Sequence, residues 1–139
     1  MLDATDLKII DCLRKNARAQ WREIGMQVHL TGQAVADRVH RMEDLGIIEG
    51  YRVQVDESRL GTPVIAFITV FMKTAEEHQA FQKFIREKPT ITEAHRNSGE
   101  GCYLLKASTV SHEDLNRLLD EILIYGNYRA NLSLQVIKK

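Results

Sequence analysis

The chain has 139 residues, of which 44% are hydrophobic, and its 19 basic and 19 acidic side chains give a formal net charge of zero. This length suits one large or two small domains, and the apolar content excludes a disordered chain. No segment approaches the roughly 18–20 apolar residues of a membrane span, and the early Asp3 and Asp6 break the basic-then-apolar order of a signal peptide.

The chain begins with two predicted helices. The first covers about Thr5–Asn16, is capped by Asp3 or Thr5, and has an inner side formed by Leu7, Ile10 and Leu13. The second is shorter, contains Ile24 and Val28, and ends in a turn at His29 and Leu30.

A third predicted helix, Thr31–Leu45, follows directly. Thr31 suits the N-cap, and Gly46 suits the left-handed residue that closes a helix. One apolar stripe is formed by Val35, Val39 and Met42, which leaves Gln33, Asp37 and His40 on the opposite face. A short helix, a tight turn and a polar-faced second helix are the unit that enters a DNA major groove.

Beyond Gly46 we expect Ile47 and Ile48 to be buried. Tyr51, Val53 and Val55 alternate with polar residues, which predicts a half-buried strand. Residues 1–56 are therefore predicted to form the helix-turn-helix domain, and residues 57–63, which include Gly61 and Pro63, a hinge.

Residues 64–139 have the pattern strand, helix, strand, strand, helix, strand. The strands are predicted at Val64–Met72, covered on both faces, at Ile91–Asn97 and Cys102–Ser108, and around Ala130, Leu132, Leu134 and Val136 after a loop at Tyr125–Tyr128. The helices are predicted at Glu76–Glu87 and after Ser111. This order predicts an α+β chain whose second domain is ferredoxin-like, βαββαβ, with both helices on one sheet face and a dimer formed through the other.

The chain resembles the Lrp/AsnC (leucine-responsive, feast/famine) family of prokaryotic regulators. The resemblance is carried by Leu2-Asp3, Asp6, Ile9-Ile10, Asn16-Ala17-Arg18, Glu23-Ile24, Leu30-Thr31, Val35, Arg38-Val39, Arg41-Met42-Glu43, Gly46-Ile47-Ile48, Gly50-Tyr51, Asp56 and Leu60-Gly61, and less tightly by Gly99 and Tyr103-Leu104-Leu105. It implies a winged-helix-like DNA-binding head, a dimerising and effector-sensing second half, and dimers that often assemble into octamers. A cytoplasmic, nucleoid-associated regulator of transcription follows from it.

The predicted DNA contacts lie on and beside the third helix. Gln33 can pair with adenine, Asp37 can accept from cytosine, and His40 can reach a base or a phosphate. Arg41 suits a phosphate, whereas Arg38 suits either a phosphate or an ion pair with Glu23. Arg22, Thr31 and Ala34 complete the set. The alternative is that these side chains form a solvated face.

The resemblance implies an amino-acid effector site at the turn formed by Ser98, Gly99, Glu100, Gly101 and Cys102. Glu100 can meet an α-ammonium group, but Cys102 stands where the family usually has an acidic residue, so a constitutive or differently tuned regulator is the alternative. Glycines are also simply what a tight turn requires.

No cofactor, metal site or catalytic residue is predicted. The five histidines share no metal-ligand spacing, and Cys12 and Cys102 are read as reduced thiols. Two other functions remain open. One is an architectural, chromatin-like protein with little sequence preference. The other is an enzyme similar to the sirohaem decarboxylases, which would need His95 and Arg96 to face one cavity.

Overall fold

A computed structural model describes residues 1–61, 63–99 and 101–139, and the chain divides into two compact units, Met1–Val55 and Asp56–Lys139. No helix in these residues is long and apolar enough to cross a membrane. Each unit has its own apolar core.

The first unit contains three helices: α1 (Ala4–Lys15), α2 (Trp21–Val28) and α3 (Gly32–Asp44). Their inward side chains form a core of Ile9, Leu13, Ile24, Val35, Val39 and Met42. Fully burying one such side chain contributes about 1.5–3 kcal/mol, so this cluster is the main source of stability for so short a unit. The three helices confirm the prediction, and so do the apolar stripes of α2 and α3, but Leu7, predicted on the inner side of α1, is 54% exposed, and Ile9 is the buried residue instead.

The turn between α2 and α3 depends on Gly25. A Cβ atom at this position would lie 2.3 Å from the carbonyl oxygen of Leu30, so only glycine lets the turn fold back onto α2. The Leu30 N–H donates to the Gly25 carbonyl at 2.9 Å, and His29 adopts the left-handed conformation with φ of 60°. This close approach fixes where α3 starts relative to α2.

Two predictions for the end of this unit are wrong. Ile47 is 42% exposed, although Ile48 packs against the core. Tyr51–Val55 belongs to no strand, and all five residues are exposed. A strand needs a hydrogen-bonded neighbour, and the described residues of this unit contain no other strand, so the alternating pattern has nothing to pair with in one chain.

The second unit is a four-stranded antiparallel sheet in the order β2-β3-β1-β4, which confirms the ferredoxin-like prediction. The strands are β1 (Val64–Met72), β2 (Ile91–Arg96), β3 (Tyr103–Thr109) and β4 (Gly126–Leu132). The helices are α4 (His78–Glu87) and α5 (His112–Leu123), with short 3₁₀ turns at Glu57–Arg59 and Ala75–Glu77. Ser111 caps α5 by accepting from the Asp114 N–H at 3.1 Å.

The helices cover one face of this sheet. Ala66, Ile68 and Val70 of β1 are fully buried in a core with Phe81 of α4 and Leu118 of α5. The intervening residues of β1 point to the other face, where Phe67 is 41% exposed and Ile65, Thr69 and Phe71 are half-buried. The prediction that β1 is covered on both faces is therefore wrong for the single chain.

The last strand also differs from the prediction. β4 starts at Gly126, where a loop was expected, because Gly126 pairs with Met72 and a Cβ there would lie 2.3 Å from the Phe71 carbonyl oxygen. The strand ends at Leu132, and Leu134 and Val136 lie outside it and are exposed.

Candidate nucleic-acid interface and effector hairpin

The start of α3 is fixed by a side-chain cap. The Thr31 hydroxyl accepts the Ala34 N–H at 3.1 Å, which confirms the predicted N-cap and satisfies one of the unpaired donors of the first turn. Gly32, the first helical residue, lies against the backbone of Arg22 in α2, with 3.3 Å between its ideal Cβ position and the Arg22 nitrogen. A side chain at position 32 would therefore be tight against the backbone of α2.

One face of α3 is an exposed polar row formed by Gln33, Asp37 and His40. The Gln33 Nε2 donates to the Asp37 Oδ1 at 2.9 Å. The His40 ring meets Trp21 edge to face, with 6.3 Å between centroids. Trp21 is itself half-buried against the core, and Ala34 is half-buried beside the row. Three polar side chains of different hydrogen-bonding capacity are therefore presented on successive turns.

The two arginines of α3 bind α1. Arg38 Nη1 donates to Asp3 Oδ2 at 2.7 Å and to Asp6 Oδ1 at 2.9 Å, and Arg41 Nη2 donates to Asp6 Oδ2 at 2.8 Å. The predicted alternative, an ion pair between Arg38 and Glu23, is wrong. Arg41 is 51% exposed, so it remains within reach of solvent while it pairs with Asp6.

Asp6 is the centre of this network, and its side chain is fully buried. Asp3 and Asp6 also form a reciprocal capping box, in which each carboxylate accepts the other's backbone N–H at 2.8 and 3.0 Å. Burial raises the pKa of Asp6, but the bonds from the Asp3 N–H and Arg38 outweigh it, and the net pKa is lowered. The bond from Arg38 likewise lowers the pKa of Asp3. Both acids are thus ionised at neutral pH.

The role of Asp6 was not predicted, because an acidic residue near a helix start is already accounted for by its favourable interaction with the helix dipole. A signal was present, however. Two acids spaced i, i+3 on α1 match two arginines spaced i, i+3 on α3, and such pairs lie on one helix face.

Among the described residues, Lys15, Arg18 and Arg22 are in no ion pair, and all three are exposed around the helix-turn-helix. Arg22 lies in the first turn of α2, beside the start of α3. Arg14, in contrast, is 3.6 Å from Asp11. The local basic surplus that remains for a polyanion is therefore concentrated on these three side chains rather than on α3.

Four of the five predicted effector residues are described, and they lie between β2 and β3. The Asn97 N–H donates to the Cys102 carbonyl at 2.8 Å, and the Cys102 N–H donates to the Val70 carbonyl at 2.8 Å. Gly99 and Gly101 have φ of 91° and 78°, as the turn required. Ser98 is exposed, Cys102 is a half-buried free thiol, and Glu100 lies outside the described residues.

The sequence profile of the AsnC-type helix-turn-helix domain matches residues 2–43, and that of the Lrp/AsnC ligand binding domain matches residues 65–139. The chain belongs to the Lrp/AsnC family of transcriptional regulators. Both halves of the family architecture are thus present, in the family's order.

Individual members of the Lrp/AsnC family agree along their whole length. The HTH-type transcriptional regulator LrpB of Bacillus subtilis (strain 168) is 49% identical over 138 residues, which are 99% of this chain and 92% of LrpB. The structure of B. subtilis LrpC matches with a TM-score of 0.89 at 31% identity and covers 99% of this chain and 98% of LrpC. The crystal structure of the transcriptional regulator NMB0573/L-Met complex from Neisseria meningitidis gives 0.91 at 26% identity, covering 100% and 94%.

A polar cluster lies beside the hairpin in this Lrp/AsnC chain and was not predicted. The hydroxyl of Tyr103, a residue only 3% exposed, is within 2.9 Å of His78 Nδ1, 3.0 Å of Gln82 Nε2 and 3.1 Å of Arg96 Nη1. Arg96 Nη1 also contacts the same nitrogen of His78 and stacks over the Tyr103 ring. The cluster joins the end of β2 to α4.

The arrangement required for an enzyme similar to the sirohaem decarboxylases, with His95 and Arg96 facing one cavity, is not present. Arg96 points to the helix-covered side of the sheet, towards Tyr103, whereas His95 is on the opposite side and its Nε2 lies 2.7 Å from Glu93 Oε1. The two side chains therefore do not face one cavity. No group of three metal-binding side chains occurs within residues 1–61, 63–99 and 101–139.

Proposed function

We propose that the chain acts as a sequence-specific DNA-binding regulator in which α3 enters the major groove and Gln33, Asp37 and His40 face the base edges. The observation that supports this most strongly is the exposed polar row on a helix whose start is capped by Thr31 and whose inner face is packed. The N-terminal turns of a recognition helix are where base contacts concentrate. Thr31 and Ala34, at the start of α3, and Arg22 on the preceding helix would lie nearest the DNA backbone.

We further propose that Arg38 and Arg41 position α3 rather than bind phosphates. Each already donates to a carboxylate of α1, so a phosphate contact would have to compete with an existing charged hydrogen bond. Both guanidinium groups keep further N–H groups, but the Arg38 side chain is only 30% exposed, and the bound carboxylates already neutralise much of the charge that would attract a phosphate to either arginine.

The modest charge of each head supports a requirement for several heads. With Arg38 and Arg41 paired to α1, few cations remain for phosphates, and phosphate contacts supply most non-specific affinity. We therefore propose that two heads bind pseudo-palindromic half-sites about 34–36 Å apart, one helical turn. Linking heads raises avidity without new contacts.

The open sheet face supports the pairing of two chains. It carries Ile65, Phe67, Phe71 and Leu104, with Phe67 41% and Leu104 38% exposed. Apolar area of this kind is what a homodimer covers, at about 800 Å² per partner for a stable interface. We propose a homodimer through this face and, from the family resemblance, octamers built from such dimers.

We propose an amino-acid effector at the hairpin Ser98–Cys102. The support is the match to the ligand binding domain and the L-Met complex of the Neisseria protein. Cys102 contributes a thiol where the family usually has a carboxylate. The site therefore lacks one charge for the effector's ammonium group, and we expect weak or altered effector binding. Calorimetry with each common amino acid tests this. Saturable binding of any of them supports an effector site. If none of them binds, the effector proposal fails and the regulator is constitutive.

The test of the DNA-binding proposal is selection from a randomised duplex library with the purified protein. We expect enrichment of a motif with two related half-sites one helical turn apart. If no motif is enriched although DNA is retained, the protein is an architectural binder with little sequence preference, and the proposal fails.

A further inference from the structure

The polar row of α3 begins with a pair of side chains that are bonded to each other. Gln33 and Asp37 are one helical turn apart, both are exposed, and Gln33 Nε2 donates to Asp37 Oδ1 at 2.9 Å. The pair lies in the first two turns of the helix, in the region that base contacts use. The sequence alone suggested two independent base readers at these positions.

The bond fixes which way the amide of Gln33 points. An ionised carboxylate only accepts hydrogen bonds, so Gln33 must present its NH₂ group, not its oxygen, to Asp37. After that bond is made, Gln33 retains one N–H donor and its Oε1 acceptor, side by side at the end of the side chain. An amide without such a partner can rotate by 180° and exchange donor and acceptor.

One free donor beside one free acceptor is the complement of adenine. Adenine presents the N7 acceptor and the N6 amino donor in the major groove, whereas guanine presents two acceptors, N7 and O6. With the amide held by Asp37, guanine would meet the Gln33 oxygen with its own O6. The fixed orientation therefore selects adenine over guanine.

We propose that Asp37 is a positioning residue that holds the amide of Gln33 for adenine, and that it does not itself read a cytosine. The inference rests on the proposed function, since α3 must enter the major groove. Within the groove water is displaced, so the charge-assisted bond between the two side chains is stronger than on a free helix surface. Asp37 thereby determines specificity at a base pair that it does not touch.

The test compares base preference among variants on the selected duplex. The proteins are wild type, Gln33→Ala, Asp37→Ala, Asp37→Asn and the double variant Gln33→Ala/Asp37→Ala. Asp44→Ala is the matched control. Asp44 is exposed at the far end of the same helix, so its substitution removes one acidic charge without removing a partner of Gln33. Each protein is titrated by fluorescence anisotropy against the selected site and its single-base substitutions.

We expect Gln33→Ala to abolish a preference for adenine at one base pair of the half-site. Asp37→Ala should lower the same preference by about three- to tenfold, part of the roughly 5- to 150-fold discrimination that a full bidentate pair gives. The double variant should lose no more than Gln33→Ala alone. Asp37→Asn keeps an oxygen acceptor and should retain most of the preference. A uniform gain in affinity shared with Asp44→Ala reports only the lost charge.

Three results would overturn the inference: a change at a different base pair in Asp37→Ala, independent losses that add in the double variant, or an unchanged adenine preference in Asp37→Ala. Failure of the proposed function looks different, because wild type itself would then show no preference at any position. Circular dichroism of each variant confirms that the exposed substitutions leave the helices folded.

Discussion

Removal of the Asp6 carboxylate should destabilise the helix-turn-helix unit selectively. In Asp6→Ala, Arg38 and Arg41 each lose a bond of 2.8–2.9 Å, and the Asp3 N–H loses its cap. Hydrogen bonds to charged groups are worth about 1.5–3 kcal/mol each. Both guanidinium groups can regain water, since their side chains are 30% and 51% exposed. We therefore count only the two arginine bonds, at the low end of about 1.5 kcal/mol each, and expect a loss of about 3 kcal/mol in total.

That loss is large for this unit. Its 55 residues, Met1–Val55, correspond to a total stability of only about 3–8 kcal/mol. Trp21 is the one tryptophan of the chain and lies in this unit, so its fluorescence reports on this unit. At about 1 kcal/mol per molar urea, the midpoint followed by Trp21 should fall by about 2–3 M.

The control is Asp11→Ala, which removes an exposed acid from the same helix whose partner Arg14 is 3.6 Å away. Exposed pairs of this kind contribute about 0–1 kcal/mol. If the midpoint of Asp6→Ala lies within about 0.5 M of that of Asp11→Ala, the network does not stabilise the head, and the positioning role of Arg38 and Arg41 is wrong.

The other expectations concern pH, salt and assembly. The pKa values of Asp3 and Asp6 are lowered in the folded chain, so their contribution to stability is complete above the unfolded pKa of about 3.9 and is lost as the pH falls through the folded pKa values. The urea midpoint followed by Trp21 should therefore be flat from about pH 7 to 5 and fall below about pH 4, and it should fall less steeply in Asp6→Ala. An equal fall in both proteins would contradict this. Arg22→Ala should weaken binding to all duplexes alike and reduce the slope of log K against log salt by about 0.9 per engaged head, whereas Arg86→Ala on the exposed side of α4 should leave the slope unchanged; equal slopes in both would remove Arg22 from the phosphate contacts. Phe67→Glu adds a charge to the open sheet face and should shift the sedimentation coefficient from that of a dimer to that of a monomer at micromolar concentration. Gln79→Glu, at an exposed position of α4, is the control. A Phe67→Glu variant that stays dimeric would exclude this face as the interface.

The sequence predicts the local structure of the head well because its signals are local. The cap at Thr31, the stripe of Val35, Val39 and Met42, and the left-handed Gly46 all depend on neighbours within one helix, and all three are confirmed. The pairing of Asp6 with Arg38 and Arg41 spans more than 30 positions, and sequence position alone does not distinguish it from a simple helix-dipole effect.

The errors in the sheet domain have a related cause. An apolar run such as β1 shows that both faces avoid water, but it does not say whether the same chain or a second chain covers each face. Gly126 resembled a turn residue, but here the missing side chain allows a close approach to Phe71. In the first unit, the alternation at Tyr51–Val55 likewise indicates a strand without identifying the strand it would pair with.

The hairpin Ser98–Cys102 illustrates a different limit. Its glycines and their positive φ values could be predicted from the needs of a tight turn. The cluster of His78, Gln82 and Arg96 around the Tyr103 hydroxyl could not, because its members come from α4, β2 and β3 and share no spacing.

The most direct measurement is the ratio of dissociation constants of the wild-type protein for its selected duplex and a scrambled duplex, by fluorescence anisotropy at near-physiological salt. A regulator that reads bases through α3 should bind the selected duplex at least about a thousandfold more tightly, and Gln33→Ala should reduce that ratio. A ratio near one, with strong salt dependence on both duplexes, would contradict sequence-specific recognition by this helix.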